Sequence, residues 1–127
     1  AVGLRVLEVV LRDGLVERSR IAGLKLHAGL LELQRRYGCI GDVRGRGLMA
    51  GVEIIMDVET KEQGIDLAAA LADRMMELGL SANILGSKMF GGVFRIAPPI
   101  TITDEELGAA LEIFEEALRS TPGTIPR

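Results

Sequence analysis

The chain has 127 residues, the size of a single domain that buries roughly two-thirds of its unfolded surface. Hydrophobic residues make up 48% of it and charged residues 26%, which is typical of a globular protein and not of a disordered one. The net charge of −3 disfavours a protein that mainly binds nucleic acid. No apolar run approaches the roughly 20 residues that cross a bilayer, so we expect a cytoplasmic protein with neither membrane nor nucleic acid as a partner.

Cysteine and histidine, which often carry chemistry, occur once each. Cys39 cannot form an internal disulfide, and with His27 alone it makes neither a zinc site nor a catalytic pair of thiol and imidazole. We therefore predict that Cys39 is a small buried hydrophobe and that His27 is solvated or hydrogen-bonded on a helix.

The first part of the chain is predicted to form two helices. Valines and leucines recur at helical spacing up to Asp13, and a longer helix is expected from Leu15 to about Tyr37. The chain begins at Ala1, inside a helical pattern that no capping residue precedes, so we expect it to be part of a longer protein. The apolar positions of the longer helix that are expected to face the core are Ile21, Leu24, Ala28 and Leu31.

The middle of the chain changes to a strand pattern. Residues 40–43 and 48–56 are mostly apolar and are joined through Gly45 and Gly47, which predicts two adjacent antiparallel strands. A phosphate-binding loop is disfavoured, because such a glycine loop opens a helix and these glycines open a strand.

The second half is predicted to contain a helix from Ile65 to near Gly79 and a short strand over residues 80–85. Residues 86–92 contain three glycines and are predicted to be a loop. The flexibility of this loop either permits a movement or the close approach of a ligand, or the loop only connects two strands. A last strand follows and is ended by two prolines.

The final helix has the clearest start signal, because Thr103 and Glu106 form the pattern of a capping box. Residues 120–127 are expected to be an irregular tail. The order of elements is helix, helix, strand, strand, helix, strand, strand, helix. This order indicates an α+β fold, with a small, mostly antiparallel sheet and helices on one face.

Arg95 lies in the middle of the last predicted strand. Alternate residues of a strand share a face, so Phe94 and Ile96 are predicted to face the helices and Arg95 the opposite side. A guanidinium keeps its charge in proteins. The residues alone leave three partners open for it: water, a carboxylate of the chain such as Glu53, or the carboxylate of a ligand.

Two stretches resemble the C-terminal small domain of the class III, pyridoxal-phosphate-dependent aminotransferases. They are IGDVRGRGLMAGVEI at residues 40–54 and GGVFRIAPPITITDEEL at residues 91–107, and the second leans toward the 2,2-dialkylglycine decarboxylases of this family. The resemblance extends over nearly the whole chain. Residues 1–127 are therefore expected to be a single C-terminal domain, in which residues 1–14 lead in from a large domain outside this chain.

The resemblance implies specific roles. In this family the large domain holds pyridoxal phosphate on a lysine, and a small-domain arginine that matches Arg95 binds the substrate carboxylate. Lys25, Lys61 and Lys88 do not match the cofactor lysine. The resemblance thus implies no catalytic, cofactor-binding or metal-binding residue in this chain, and no activity of the chain alone.

The enzyme implied by the resemblance acts on an amino acid and a 2-keto acid, by decarboxylation followed by transamination. It is expected to be a homodimer or homotetramer. The decarboxylase resemblance also implies an alkali metal ion, held by residues outside this chain.

Three alternatives stay open. The first is another class III aminotransferase, which acts on an amino acid or an ω-amine. The second is a free-standing regulatory module that binds a small acid at Arg95. The third is a structural or oligomerisation domain, in which Arg95 pairs with Glu53 on a neighbouring strand.

Overall fold

The computed structural model describes residues 1–124 and contains the predicted order of four helices and four strands. No helix in this range is long and apolar enough to cross a membrane. The elements are α1 (Val2–Arg12), α2 (Leu15–Arg36), β1 (Ile40–Arg46), β2 (Met49–Ile54), α3 (Ile65–Glu77), β3 (Asn83–Ser87), β4 (Gly91–Ile96) and α4 (Asp104–Ser120).

The four strands form one antiparallel sheet in the order β1-β2-β4-β3. The turn between β1 and β2 contains Gly47 at a φ of 56°, a left-handed conformation that glycine adopts without a steric penalty. From β2 the chain passes through α3 to β3 at the far edge, and the β3–β4 hairpin brings β4 back beside β2. Arg95 therefore lies on a central strand with a neighbour on each side.

One face of the sheet is covered by helices, which confirms the predicted α+β architecture. Val52, Ile54 and Phe94 point into this layer and are at most 1% exposed. The Phe94 ring packs edge to face against Phe114 of α4, with 5.6 Å between the ring centroids. Most of the remaining core is aliphatic and comes from α2, α3 and α4.

The prediction of which face of α2 is buried is wrong. Leu26, Leu30 and Leu33 face the sheet. The positions that were expected to be buried are exposed, with 47% for Ile21 and 61% for Leu24. Two apolar stripes at helical spacing run along this helix, and only one of them packs on the sheet.

Helix α1 has no buried residue, and most of its apolar side chains are exposed, like those of the second stripe of α2. We call the two together the apolar helix face. Its exposed members are Val2, Leu4, Val6, Leu7, Leu11, Val16, Ile21, Leu24 and Leu31.

The glycine-rich loop predicted over residues 86–92 is shorter in the structure. Strand β3 extends to Ser87 and β4 begins at Gly91, which leaves a tight hairpin turn. A Cβ at Gly92 would lie 2.6 Å from the backbone oxygen of Gly64. Gly92 is therefore required for close packing of β4 against the start of α3.

The predicted capping box of α4 is confirmed. The amide of Glu106 donates to Thr103 Oγ1 at 3.2 Å, and the Thr103 amide donates to Glu106 Oε2 at 2.8 Å. After α4 the chain forms a turn in which the hydroxyl of Thr124 donates to backbone oxygens, including that of Thr121. Residues 125–127 of the predicted tail lie outside the described residues.

Candidate functional site

Arg95 is on the open face of the sheet, as predicted, and its side chain is exposed. Directly opposite it are Gly51 on β2 and Asn83 on β3. Gly51 is in turn opposite Arg44 on β1. One row across the sheet thus contains, in order, Arg44, Gly51, Arg95 and Asn83.

The two arginines of this row differ in their partners. Arg44 donates to Asp42 at 2.7 Å and to Glu53 at 3.3 Å. The hydrogen bond that Arg44 donates to Asp42 is the main reason that the pKa of Arg44 is raised above its usual value. Within residues 1–124, no carboxylate forms an ion pair with Arg95. The Glu53 partner expected for a purely structural Arg95 is bound to Arg44 instead.

Gly51 leaves a gap between the two arginines. A Cβ placed there would meet nothing closer than Arg44 Cγ and the Arg44 backbone oxygen, both at 3.8 Å. Gly51 therefore places no side chain of its own beside Arg95, and the nearest side-chain atoms to that Cβ position are Arg44 Cγ at 3.8 Å and Val93 Cγ1 at 3.9 Å.

Arg95 and Asn83 also line an open cleft of about 820 Å³, at the end of β4 where the chain leaves the sheet. The rest of the lining lies mostly on the helix side of the sheet and is largely apolar, with Ile102 and Leu111, but it also includes Glu106. Small-molecule sites commonly combine apolar walls with a few polar groups that determine orientation. The cleft thus combines an apolar wall with two polar residues, Arg95 and Asn83, at the sheet and an acidic one, Glu106, on the helix side.

The loop that forms the rim of the cleft is anchored by Arg18 of α2. Its Nε donates to the backbone oxygen of Ile100 at 2.7 Å, and its Nη2 donates to that of Thr101 at 3.2 Å. These bonds hold the segment after β4 against the helix layer. The segment that follows the strand carrying Arg95 is therefore tied to α2.

The two residues that occur once each are not part of this site. Cys39 is buried as predicted, and burial raises the pKa of its thiol to about 11, so the thiol stays protonated at neutral pH. His27 is half-buried, and its Nε2 has no hydrogen-bond partner within residues 1–124, contrary to prediction. In the same range no three His, Cys, Asp or Glu side chains are grouped so that they could hold a metal ion.

The fold agrees with the comparison to known proteins. Residues 1–118 match the family model of the class III aminotransferases, and the chain belongs to this family. It is 46% identical over 121 residues to an uncharacterized aminotransferase of Schizosaccharomyces pombe, which covers 95% of this chain and 27% of that protein.

Two further relatives differ in their chemistry. An alanine/serine racemase of Pyrococcus horikoshii is 38% identical over 91% of this chain and 23% of that protein. The omega transaminase of Pseudomonas jessenii, solved in complex with PMP, superposes with a TM-score of 0.78 and 28% identity over 89% of this chain and 24% of that one. The chain spans about a quarter of the length of the curated relatives that it matches.

Class III aminotransferases use pyridoxal phosphate, and the described residues do not fit this cofactor by themselves. Such a site needs a lysine that faces a cavity and hydrogen-bond donors for the phosphate. Lys25 is ion-paired with Asp104 on the surface. Lys61 lies in an exposed polar loop. Lys88, at the exposed tip of the β3–β4 hairpin, borders a second open cleft, but the acidic Glu62 and Asp66 in the same lining would repel a phosphate. No chemical step that uses the cofactor is assigned to residues 1–124.

The sequence did not identify Asn83 or Gly51 as neighbours of Arg95. Their proximity depends on the strand order and on the register, and β3 is far from β2 in the sequence. A weak signal was available, because Asn83 is a polar residue inside an apolar strand pattern.

Proposed function

We propose that this chain is the carboxylate-binding domain of a longer, pyridoxal-phosphate-dependent enzyme that transfers amino groups between an amino acid and a 2-keto acid. The observation that carries the proposal is Arg95, a central-strand arginine that lines a cleft and has no carboxylate partner within residues 1–124. Membership of the class III aminotransferase family also supports this proposal.

Arg95 has the chemistry that this role requires. A guanidinium and a carboxylate form two parallel, charge-assisted hydrogen bonds, which fix both the position and the rotation of the acid. A fixed orientation lowers the entropic part of the barrier, because the bond to be broken is held in one alignment. Pyridoxal phosphate, when bound, supplies the electron sink for the carbanion.

For the particular reaction we propose decarboxylation of a 2,2-disubstituted glycine, followed by transamination of a 2-keto acid such as pyruvate. The FRIAPP stretch at residues 94–99 supports this choice. The alternative is another class III aminotransferase, which acts on an amino acid or an ω-amine. The relatives support this alternative equally well, since those reported above include an aminotransferase and an omega transaminase.

We also propose that the chain alone is inactive and that the whole enzyme is a homodimer or homotetramer. The surface positions of its three lysines support the first statement. The apolar helix face supports the proposal of an oligomer in part, because apolar patches of this kind commonly mark surfaces that bind other protein.

The test uses the full-length protein, loaded with pyridoxal phosphate. It is given 2-aminoisobutyrate and pyruvate while carbon dioxide and alanine are recorded, and separately L-alanine with a second 2-keto acid. Release of carbon dioxide together with alanine supports the decarboxylase. Amino transfer from L-alanine without any release of carbon dioxide supports the alternative. The 127-residue chain is the control and is expected to show neither reaction.

The role of Arg95 is tested in the half-reaction with an amino donor alone, followed by the cofactor absorbance. L-alanine and ethylamine form a matched pair, because they differ only by the carboxylate. Arg95→Ala is expected to lower kcat/KM for L-alanine by about 100-fold and to leave ethylamine unchanged, since a bidentate pair to a charged group is lost. Equal effects on both donors would contradict carboxylate binding by Arg95.

A further inference from the structure

The residue opposite Arg95 on the edge strand is Asn83. Residues that face each other in an antiparallel pair have Cβ atoms about 4.5–5.5 Å apart and side chains on the same face. Asn83 is exposed and lies on the open face with Arg95, and both residues border the cleft at the end of β4. An anion held by Arg95 is therefore within reach of the Asn83 amide.

The amide of asparagine complements a guanidinium in this position. A carboxylate offers about four lone-pair sites, of which the guanidinium fork uses two. The amide NH₂ of Asn83 can donate to a third without neutralising Arg95, which an acidic side chain at this position would do. On the other flank Gly51 carries no side chain and leaves room for the ligand.

We propose that Asn83 is a second residue that binds the substrate carboxylate, so that the acid is held between two donors on neighbouring strands. This inference rests on the proposed function, in which Arg95 binds that carboxylate. It adds a directional element, because the amide is on the β3 side only and the β2 side is open at Gly51. The carboxylate is thus drawn toward the β3 edge of the sheet.

The test again uses the cofactor-loaded full-length protein and the half-reactions of L-alanine and ethylamine. Asn83→Ala is expected to lower kcat/KM for L-alanine by about tenfold and to leave ethylamine unchanged, because one hydrogen bond to a charged group is lost. Asn83→Asp is expected to lower it by about 100-fold, because the new carboxylate pairs with Arg95 across the strands and competes with the substrate.

Leu85→Ala is the matched control. Leu85 lies on the same strand, two residues from Asn83, and faces Val93 instead of Arg95. This substitution is expected to change the ratio of kcat/KM for L-alanine to kcat/KM for ethylamine by less than twofold. A similar fall for both donors in Asn83→Ala would indicate a structural role and overturn the inference. Equal activity of Asn83→Asp and the wild type would also overturn it.

The Arg95→Ala variant separates the two proposals. If Arg95→Ala loses discrimination between L-alanine and ethylamine while Asn83→Ala keeps it, the inference about Asn83 fails and the proposed function stands. If Arg95→Ala itself keeps the discrimination, the proposed function fails, and the role of Asn83 fails with it.

Discussion

The two faces of the sheet are built from the same strands and differ in almost every respect. Val52 and Phe94 lie under the helices and are at most 1% exposed. Their immediate neighbours Gly51 and Arg95 lie on the open face, which no helix of residues 1–124 covers. The comparison shows that one face supplies stability and leaves the other free to present charged groups.

The largest expected effect tests the difference between the two faces at two adjacent residues, Phe94 and Arg95. Phe94→Ala should reduce the free energy of unfolding by about 3–5 kcal/mol, because a buried aromatic ring is replaced by a cavity. Arg95→Ala should change it by no more than about 0.5 kcal/mol, because the side chain is exposed and has no carboxylate partner within residues 1–124. Urea unfolding followed by circular dichroism measures both. A large loss of stability in Arg95→Ala would mean that Arg95 has a structural partner.

The next effect concerns the gap on the open face. Gly51→Leu should fill the space beside Arg95 and lower kcat/KM for L-alanine by about tenfold relative to ethylamine, the equivalent of one lost hydrogen bond to a charged group. Gly51→Ala is the control, because its Cβ meets nothing closer than 3.8 Å. Unfolding of both variants should match that of the wild type. If Gly51→Leu discriminates normally, neither the Arg95 guanidinium nor its bound ligand extends over Gly51.

A smaller effect is expected in the helix layer. Thr103→Ala removes the hydroxyl that accepts from the Glu106 amide, and should cost about 1 kcal/mol of stability. Thr103→Ser keeps the acceptor and should cost much less. Urea midpoints of the two variants give the difference. Equal losses in both would show that the methyl group of Thr103, and not its hydroxyl, is the stabilising part.

A further effect appears only at high pH. In the unfolded chain the Cys39 thiol ionises near its ordinary pKa of about 8.5, whereas in the native state burial raises the pKa to about 11. From roughly pH 9 to 11 the unfolded state therefore loses a proton that the native state keeps, so stability should fall as pH rises. Below pH 8 this contribution is constant. Cys39→Ala should flatten the pH dependence, as measured by urea midpoints at pH 7, 9 and 10.5.

The local signals were sufficient for much of the fold. The capping box at Thr103 and the glycines of the first hairpin were read correctly, because caps and turns depend on residues close in sequence. The alternation around Arg95 was also predicted, since a strand places neighbours on opposite faces. The buried face of α2 was not, because both of its apolar stripes satisfy the same periodicity.

The sequence by itself determined the number and order of the elements, the family, and the face of β4 on which Arg95 lies. Only the tertiary structure decided that Asn83 and Gly51 flank Arg95, and that Glu53 is engaged by Arg44. The physical reason is the range of the interactions. Periodicity, caps and turns are local, whereas the partners across a sheet depend on strand order and register, which the packing of the whole domain selects.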